Sequence, residues 1–307
     1  MAGIGARAHA SPGPHQAGAK VRPAAQPTSA VVKQDLPVGK AVVLGVVEGI
    51  TEFLPISSTG HLLVGERLMD LPKTKELDAY TIIIQAGAIA AVLLVSWRRV
   101  LELLQGLVGK SVAGRKLLIA LVVAFIPAAF IGKVLGDKVE EKLLKPGAVA
   151  AAWIVGGIVI LGFARSRRGK HSAKGAVLES LTVKQAAIIG VAQTAALWPG
   201  VSRSFVTILA GVLVGLSLRA AVEFSFLLGL ATLSAATVYE LLRHGSDVKD
   251  AFGVGAPVVG ILVAFVAAAV AVKWMIGYLN KHDLSVFGIY RILAGIVTLG
   301  LLANHTI

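Results

Sequence analysis

The chain has 307 residues, 56% of them hydrophobic and only 15% charged, whereas a soluble domain carries about a quarter charged residues. That excludes an ordinary globular protein and indicates a polytopic helical membrane protein. A net charge of +13 would suggest nucleic acid in a soluble chain, but here the basic residues lie mainly in loops between apolar blocks, where topology and anionic lipid account for them.

With no cysteine in the chain, disulfides and thiolate metal sites are ruled out. Residues 1–35 are rich in Ala, Gly and Pro without periodicity and read as a disordered tail. They lack the apolar core of a secretory signal. Residues 36–303 read as one membrane domain. Its first two apolar pieces, 38–54 and 56–69, are separated by Pro55, and each is too short to cross ~30 Å of hydrocarbon. Such a pair fits a re-entrant hairpin, because non-helical backbone at that depth is tolerated only where it lines a cavity. Full spans are expected at about 80–97, 117–135 and 147–164, with loops at 98–116 and 136–146. A second broken pair covers 183–197 and 201–218, interrupted at Trp198-Pro199-Gly200. Three more spans follow at about 221–242, 254–276 and 285–303, with a loop at 243–253. The expected fold class is therefore all-α, with six transmembrane helices and two re-entrant broken-helix pairs.

The two halves, about 36–164 and 183–303, are similar. A shift of 145 residues aligns Gly45 with Gly190, Glu48 with Gln193 and Ser57 with Ser202, and brings Pro55 to within one residue of Pro199. Each half is a broken pair followed by three spans. An odd number of crossings inverts one half relative to the other, so the breaks are expected to meet near the midplane. The basic loops 98–116 and 165–184 are expected in the cytoplasm, which puts both chain ends outside. The basic tail argues the other way.

The chemistry concentrates at the breaks. In Gly45-Val46-Val47-Glu48-Gly49-Ile50-Thr51-Glu52-Phe53-Leu54-Pro55-Ile56-Ser57-Ser58-Thr59-Gly60-His61, the spacing of four puts Glu48 and Glu52 on one helix face, one turn apart. Pro55 then stops the helix. Ionisable groups at this depth cost ~3 kcal/mol or more each, so the cluster reads as a functional site. The second break, Trp198-Pro199-Gly200-Val201-Ser202-Arg203-Ser204-Phe205-Val206-Thr207, brings a guanidinium able to grip phosphate bidentately. Ser202, Ser204 and Thr207, with Ser57, Ser58 and Thr59 of the first break, add donors beside two helix N-termini. The two together make an anion pocket suited to two phosphates. Glu48 and Glu52 would repel that anion unless a hard divalent ion, Mg²⁺ or Ca²⁺, lies between them. Either Ser58 or a metal-bound water could attack phosphorus, with His61 passing the proton. Glu223 and Arg291, near span ends, read as structural or interfacial.

Glu48-xxx-Glu52-Phe-Leu-Pro-Ile-Ser-Ser-Thr-Gly-His61, together with Pro199-Gly-Val-Ser-Arg203-Ser-xx-Thr207, resembles the bacitracin-resistance type of undecaprenyl-pyrophosphate phosphatase. Glu223-Phe-Ser-Phe-Leu-Leu is a third similar stretch, and the resemblance covers about residues 38–303. It implies a multi-pass enzyme of the bacterial inner membrane that dephosphorylates the C55 isoprenyl pyrophosphate and so recycles the lipid carrier of cell-wall synthesis. It also implies divalent-metal dependence, a pocket opening to the outer side, and Glu48, Glu52, Ser58, His61 and Arg203 as the functional set. The sequence departs from the family pattern at Phe205-Val206 and Ala231. A polyprenyl pyrophosphate and membrane lipid are the expected partners, and a homodimer is left open. The rival reading is a secondary transporter or flippase of a lipid phosphate, which inverted repeats also suit. The other membrane lipid-phosphatase signature, Ser-Arg, five residues, then His, fails because position 209 is Leu.

Overall fold

The structure, a computed structural model, describes residues 36–166 and 175–307. The tail expected over residues 1–35 lies outside the described residues. In chain order the helices are α1 Val38–Thr51, α2 Ser58–Leu68, α3 Lys75–Val95, α4 Trp97–Leu107, α5 Val112–Leu143 and α6 Pro146–Ser166. After them come α7 Val183–Gln193, α8 Arg203–Leu213, α9 Leu218–Phe252, α10 Gly255–Leu279 and α11 Ser285–Ala303. Among the described residues the fold is all-α, with one isolated bridge between Ala176 and Leu216. Six helices, α3, α5, α6, α9, α10 and α11, are long and apolar enough to cross a membrane, and they match the six expected spans.

The ends of these elements have local causes. Thr74 caps α3 by accepting from the Leu77 N–H at 3.3 Å, with Glu76 and Asp78 favourable in the first turn. Thr182 and Gln185 form a reciprocal capping box at α7. Helix α1 stops at Thr51, four residues before Pro55, because proline has no N–H to return to the Thr51 carbonyl.

Three expected loops are partly helical. In the segment 98–116, α4 folds back on α5 with Gly106 against Gly114, so close that a Cβ on either would overlap opposing backbone. Helix α5 continues to Leu143 through its charged end. Helix α9 continues through Arg243–Asp250 because Val248 and Ala251, three apart, remain buried and Phe252 packs edge-on against Tyr80. Gly253 ends it in the left-handed conformation, φ 68°.

By contrast α1, α2, α7 and α8 have 14, 11, 11 and 11 residues. At ~1.5 Å per residue none reaches across ~30 Å of hydrocarbon. Helix α1 packs on α10 and α7 on α5. Both contacts are backbone-close. A Cβ on Gly45 would lie 2.7 Å from the Gly260 carbonyl, and one on Gly190 would lie 2.5 Å from the Ala124 carbonyl. Helices α3 and α9 pair, as do α6 and α11. The residues entering α2 and α8, Ser57 and Ser202, share an unusual backbone with φ of 74° and 75°. For a residue with a Cβ this costs about 1–3 kcal/mol and persists only where the surroundings impose it.

Candidate active site

The first break leaves α1 with two acids one turn apart. Both are buried, but their environments differ. Glu52 accepts from the Ser58 hydroxyl through Oε2, while neither carboxylate oxygen of Glu48 has a hydrogen-bond partner. A buried carboxylate without partners is costly, and both Glu48 oxygens are open to a further partner.

The second break supplies the opposite charge. Arg203, the first residue of α8, donates from Nη2 to Glu52 Oε1 at 2.9 Å and from Nη1 to the Ser225 carbonyl at 3.0 Å. Its Nε–H is buried and unpartnered. The guanidinium carbon sits 5.2 Å from the centre of the Phe53 ring. Gly229 makes room for it, since a Cβ there would overlap the guanidinium. Glu52 therefore ties the hydroxyl of one break to the guanidinium of the other. A second tie runs from the Ser204 hydroxyl to the Leu54 carbonyl at 2.8 Å.

The remaining hydroxyls divide. Ser202 Oγ accepts from the Phe205 N–H and lies 3.0 Å from Ser204 Oγ. Thr207 Oγ1 donates to the Arg203 carbonyl and contacts Ser225 Oγ at 2.7 Å, locking α8 to α9. The first three N–H groups of α2 and of α8 have no intrahelical acceptor. Thr59 is exposed, outside the buried group.

His61 faces elsewhere than its expected role requires. Its Nδ1 and the Ser57 carbonyl are 2.6 Å apart. A carbonyl only accepts, so Nδ1 carries a proton, and Nε2 is hydrogen-bonded to the Tyr290 hydroxyl at 2.7 Å. The His61 ring stacks on Tyr290 at 5.6 Å between centroids and tilts against Trp153. The structure gives the Ser58 hydroxyl to Glu52, not to His61.

The chain matches the family model described as bacitracin resistance protein BacA over residues 41–297. It belongs to that family. An undecaprenyl-diphosphatase 2 from Rhodospirillum rubrum is 44% identical over 260 residues, 85% of this chain and 93% of that protein. An undecaprenyl-diphosphatase from Sorangium cellulosum is 44% identical over 264 residues, 85% of each chain. A third relative, undecaprenyl-diphosphatase 1 from Chromobacterium violaceum, is 41% identical over 260 residues.

In this BacA-family chain the donor set fits a divalent cation. The two unpartnered Glu48 oxygens and the neighbouring Glu52 are hard oxygen donors, and Mg²⁺ is held by one or two carboxylates together with substrate phosphate oxygens. No group of three or more His, Asp or Glu side chains gathers among the described residues, so substrate and water would complete the shell. Sequence reasoning missed Tyr290 and Ser225, and it read Arg291 as structural or interfacial; the residue is fully buried. Ser225 lies in the third similar stretch, which was the available signal. Glu223 of that stretch pairs instead with Arg99 at 2.6 Å, in a group with Glu102 and Glu179.

Proposed function

We propose that this chain is an undecaprenyl-diphosphatase, a membrane hydrolase that converts undecaprenyl diphosphate to the monophosphate and inorganic phosphate. Family membership carries the reaction class. The observation that carries the mechanism is Glu52 accepting from Ser58 and Arg203 at once. Glu52 takes the Ser58 proton as Ser58 Oγ forms a bond to the terminal phosphorus. The bridging P–O bond breaks and the monophosphate leaves, and water then cleaves the seryl phosphate. The unpartnered Nε–H of Arg203 is free for a phosphoryl oxygen, and the first N–H groups of α2 and α8 add donors. Ser57, Thr59, Ser202, Ser204 and Thr207 shape the breaks that present those donors. A divalent ion held by Glu48 and Glu52 would neutralise diphosphate charge and polarise the phosphoryl group. His61, bonded to Tyr290, orients the first turn of α2 and is not the proton carrier for Ser58.

The two broken pairs read as re-entrant hairpins of an inverted repeat. Supporting this are their lengths, the matched φ values of Ser57 and Ser202, and the exchanged packing of α1 on α10 and α7 on α5. With the basic loops in the cytoplasm, the first hairpin enters from the outer side of the inner membrane and the pocket opens there. The Ser58–Glu52 bond favours hydrolysis over lipid-phosphate transport, which needs no activated hydroxyl.

Phosphorus NMR of undecaprenyl diphosphate with the purified protein in detergent tests this reading. Equal growth of a monophosphate ester and inorganic phosphate is expected. Persistence of the substrate, or release of intact pyrophosphate, would overturn it.

A further inference from the structure

Arg291 is fully buried on α11, and among the described residues no carboxylate pairs with it. All five of its N–H donors are nevertheless used. Nε donates to the Trp153 carbonyl at 3.4 Å. Nη1 donates to Pro55 at 3.3 Å and Val201 at 2.9 Å, and Nη2 to Ala152 and Gly200 at 2.9 Å each. Every acceptor is a main-chain carbonyl. Pro55 belongs to the first break, Gly200 and Val201 to the second, and Ala152 and Trp153 to α6.

The surroundings are cut to fit this group. A Cβ on Gly156 would overlap the guanidinium, so α6 leaves a slot where it passes. The guanidinium carbon lies 5.0 Å from the centre of the Phe205 ring. Gly200, at φ 93°, lies so close to α6 that a Cβ there would be 2.9 Å from the Val149 carbonyl. The preceding residue on α11, Tyr290, holds His61, so adjacent residues of one helix fix the first turn of α2 and both breaks.

The geometry points to Arg291 as a positioning residue for the phosphatase reaction, setting Arg203 against Ser58 and Glu52. This rests on the reading of those three as the reacting group. A trans peptide holds its C=O and N–H opposed. Clamping the Val201 carbonyl therefore turns the Ser202 N–H away from Arg291 and fixes the strained residue that launches α8 and Arg203. Pro55, held by the same nitrogen, fixes the chain leading to Ser57 and Ser58. One planar group thus sets the separation of hydroxyl and guanidinium, and an error of ~1 Å in such a placement costs on the order of 10² in rate. Lysine would keep the charge, but its three donors radiate from one atom and cannot span both breaks.

The test compares Arg291→Lys with the parent at a temperature well below the melting transition of each in detergent, so that both are folded. The expected result is a kcat about 100-fold lower with KM within threefold. Introduced into Arg203→Lys, the same change should cost less than threefold, because the group it positions is already lost. A wild-type kcat in folded Arg291→Lys would overturn the proposal, as would a full 100-fold loss on top of Arg203→Lys. If Arg291→Lys does not fold, Gly156→Ala decides, since it displaces the guanidinium while keeping it. The proposal requires a lowered kcat at unchanged KM there, and a wild-type kcat refutes it. Absence of activity on undecaprenyl diphosphate in the parent would fail the phosphatase reading instead.

Discussion

Replacing Glu52 with glutamine changes the fewest atoms at the centre of the site. Both carboxylate oxygens now accept, one from Ser58 and one from Arg203 at 2.9 Å. An amide offers one acceptor oxygen and presents N–H groups to the other donor. One charge-assisted bond in a buried setting is lost, about 1.5–3 kcal/mol. Arg203 keeps its bond to the Ser225 carbonyl, so the fold is expected to survive. The catalytic cost is separate. Glutamine cannot take a proton at neutral pH, and removing such a proton acceptor costs about 10² to 10⁴ in rate. Phosphate release by Glu52→Gln in detergent, normalised to monodisperse protein, should fall at least 100-fold while the melting transition remains cooperative. Turnover above about a tenth of wild type in a folded sample would refute Glu52 as the proton acceptor.

Chelation should abolish phosphate release and added Mg²⁺ or Ca²⁺ should restore it, with Glu48→Gln needing far more metal; full activity in excess chelator would exclude the cation. Because the chain lacks cysteine, topology can be read with single substitutions. A membrane-impermeant thiol reagent on spheroplasts should label Ser246→Cys and miss Ser172→Cys, and the reverse would invert the orientation.

The six spans were legible because each is a block of apolar residues near membrane length, a signal that needs no partner. The breaks were legible through Pro55 and Trp198-Pro199-Gly200, since proline's missing N–H acts locally. Glu48, Glu52 and Arg203 stood out in the sequence because charge at that depth is costly wherever it points, and Ser58 because it follows the first break. Partnerships were less legible. That Glu52 rather than His61 holds Ser58 depends on a turn whose Ser57 has positive φ, which residue type did not announce. Arg291 sits 236 residues from Pro55 and carries no local motif, so its side chain near a span end read only as structural or interfacial, with no partner named. The helical stretches beyond the expected spans, in α4 and the end of α9, are charged enough to resemble loops. Tertiary burial of a few residues such as Val248 keeps them helical.

On the proposed mechanism, residues from the two breaks act as one group through Glu52. Single-turnover phosphate release from undecaprenyl diphosphate by Ser58→Ala, Arg203→Lys and the double variant tests this directly. Residues acting as a unit are strongly non-additive, so the double variant should lose little more than the worse single, and each single should lose at least 100-fold. A double loss equal to the product of the two single losses would show independent contributions, and near-wild-type turnover in either single would contradict the shared site.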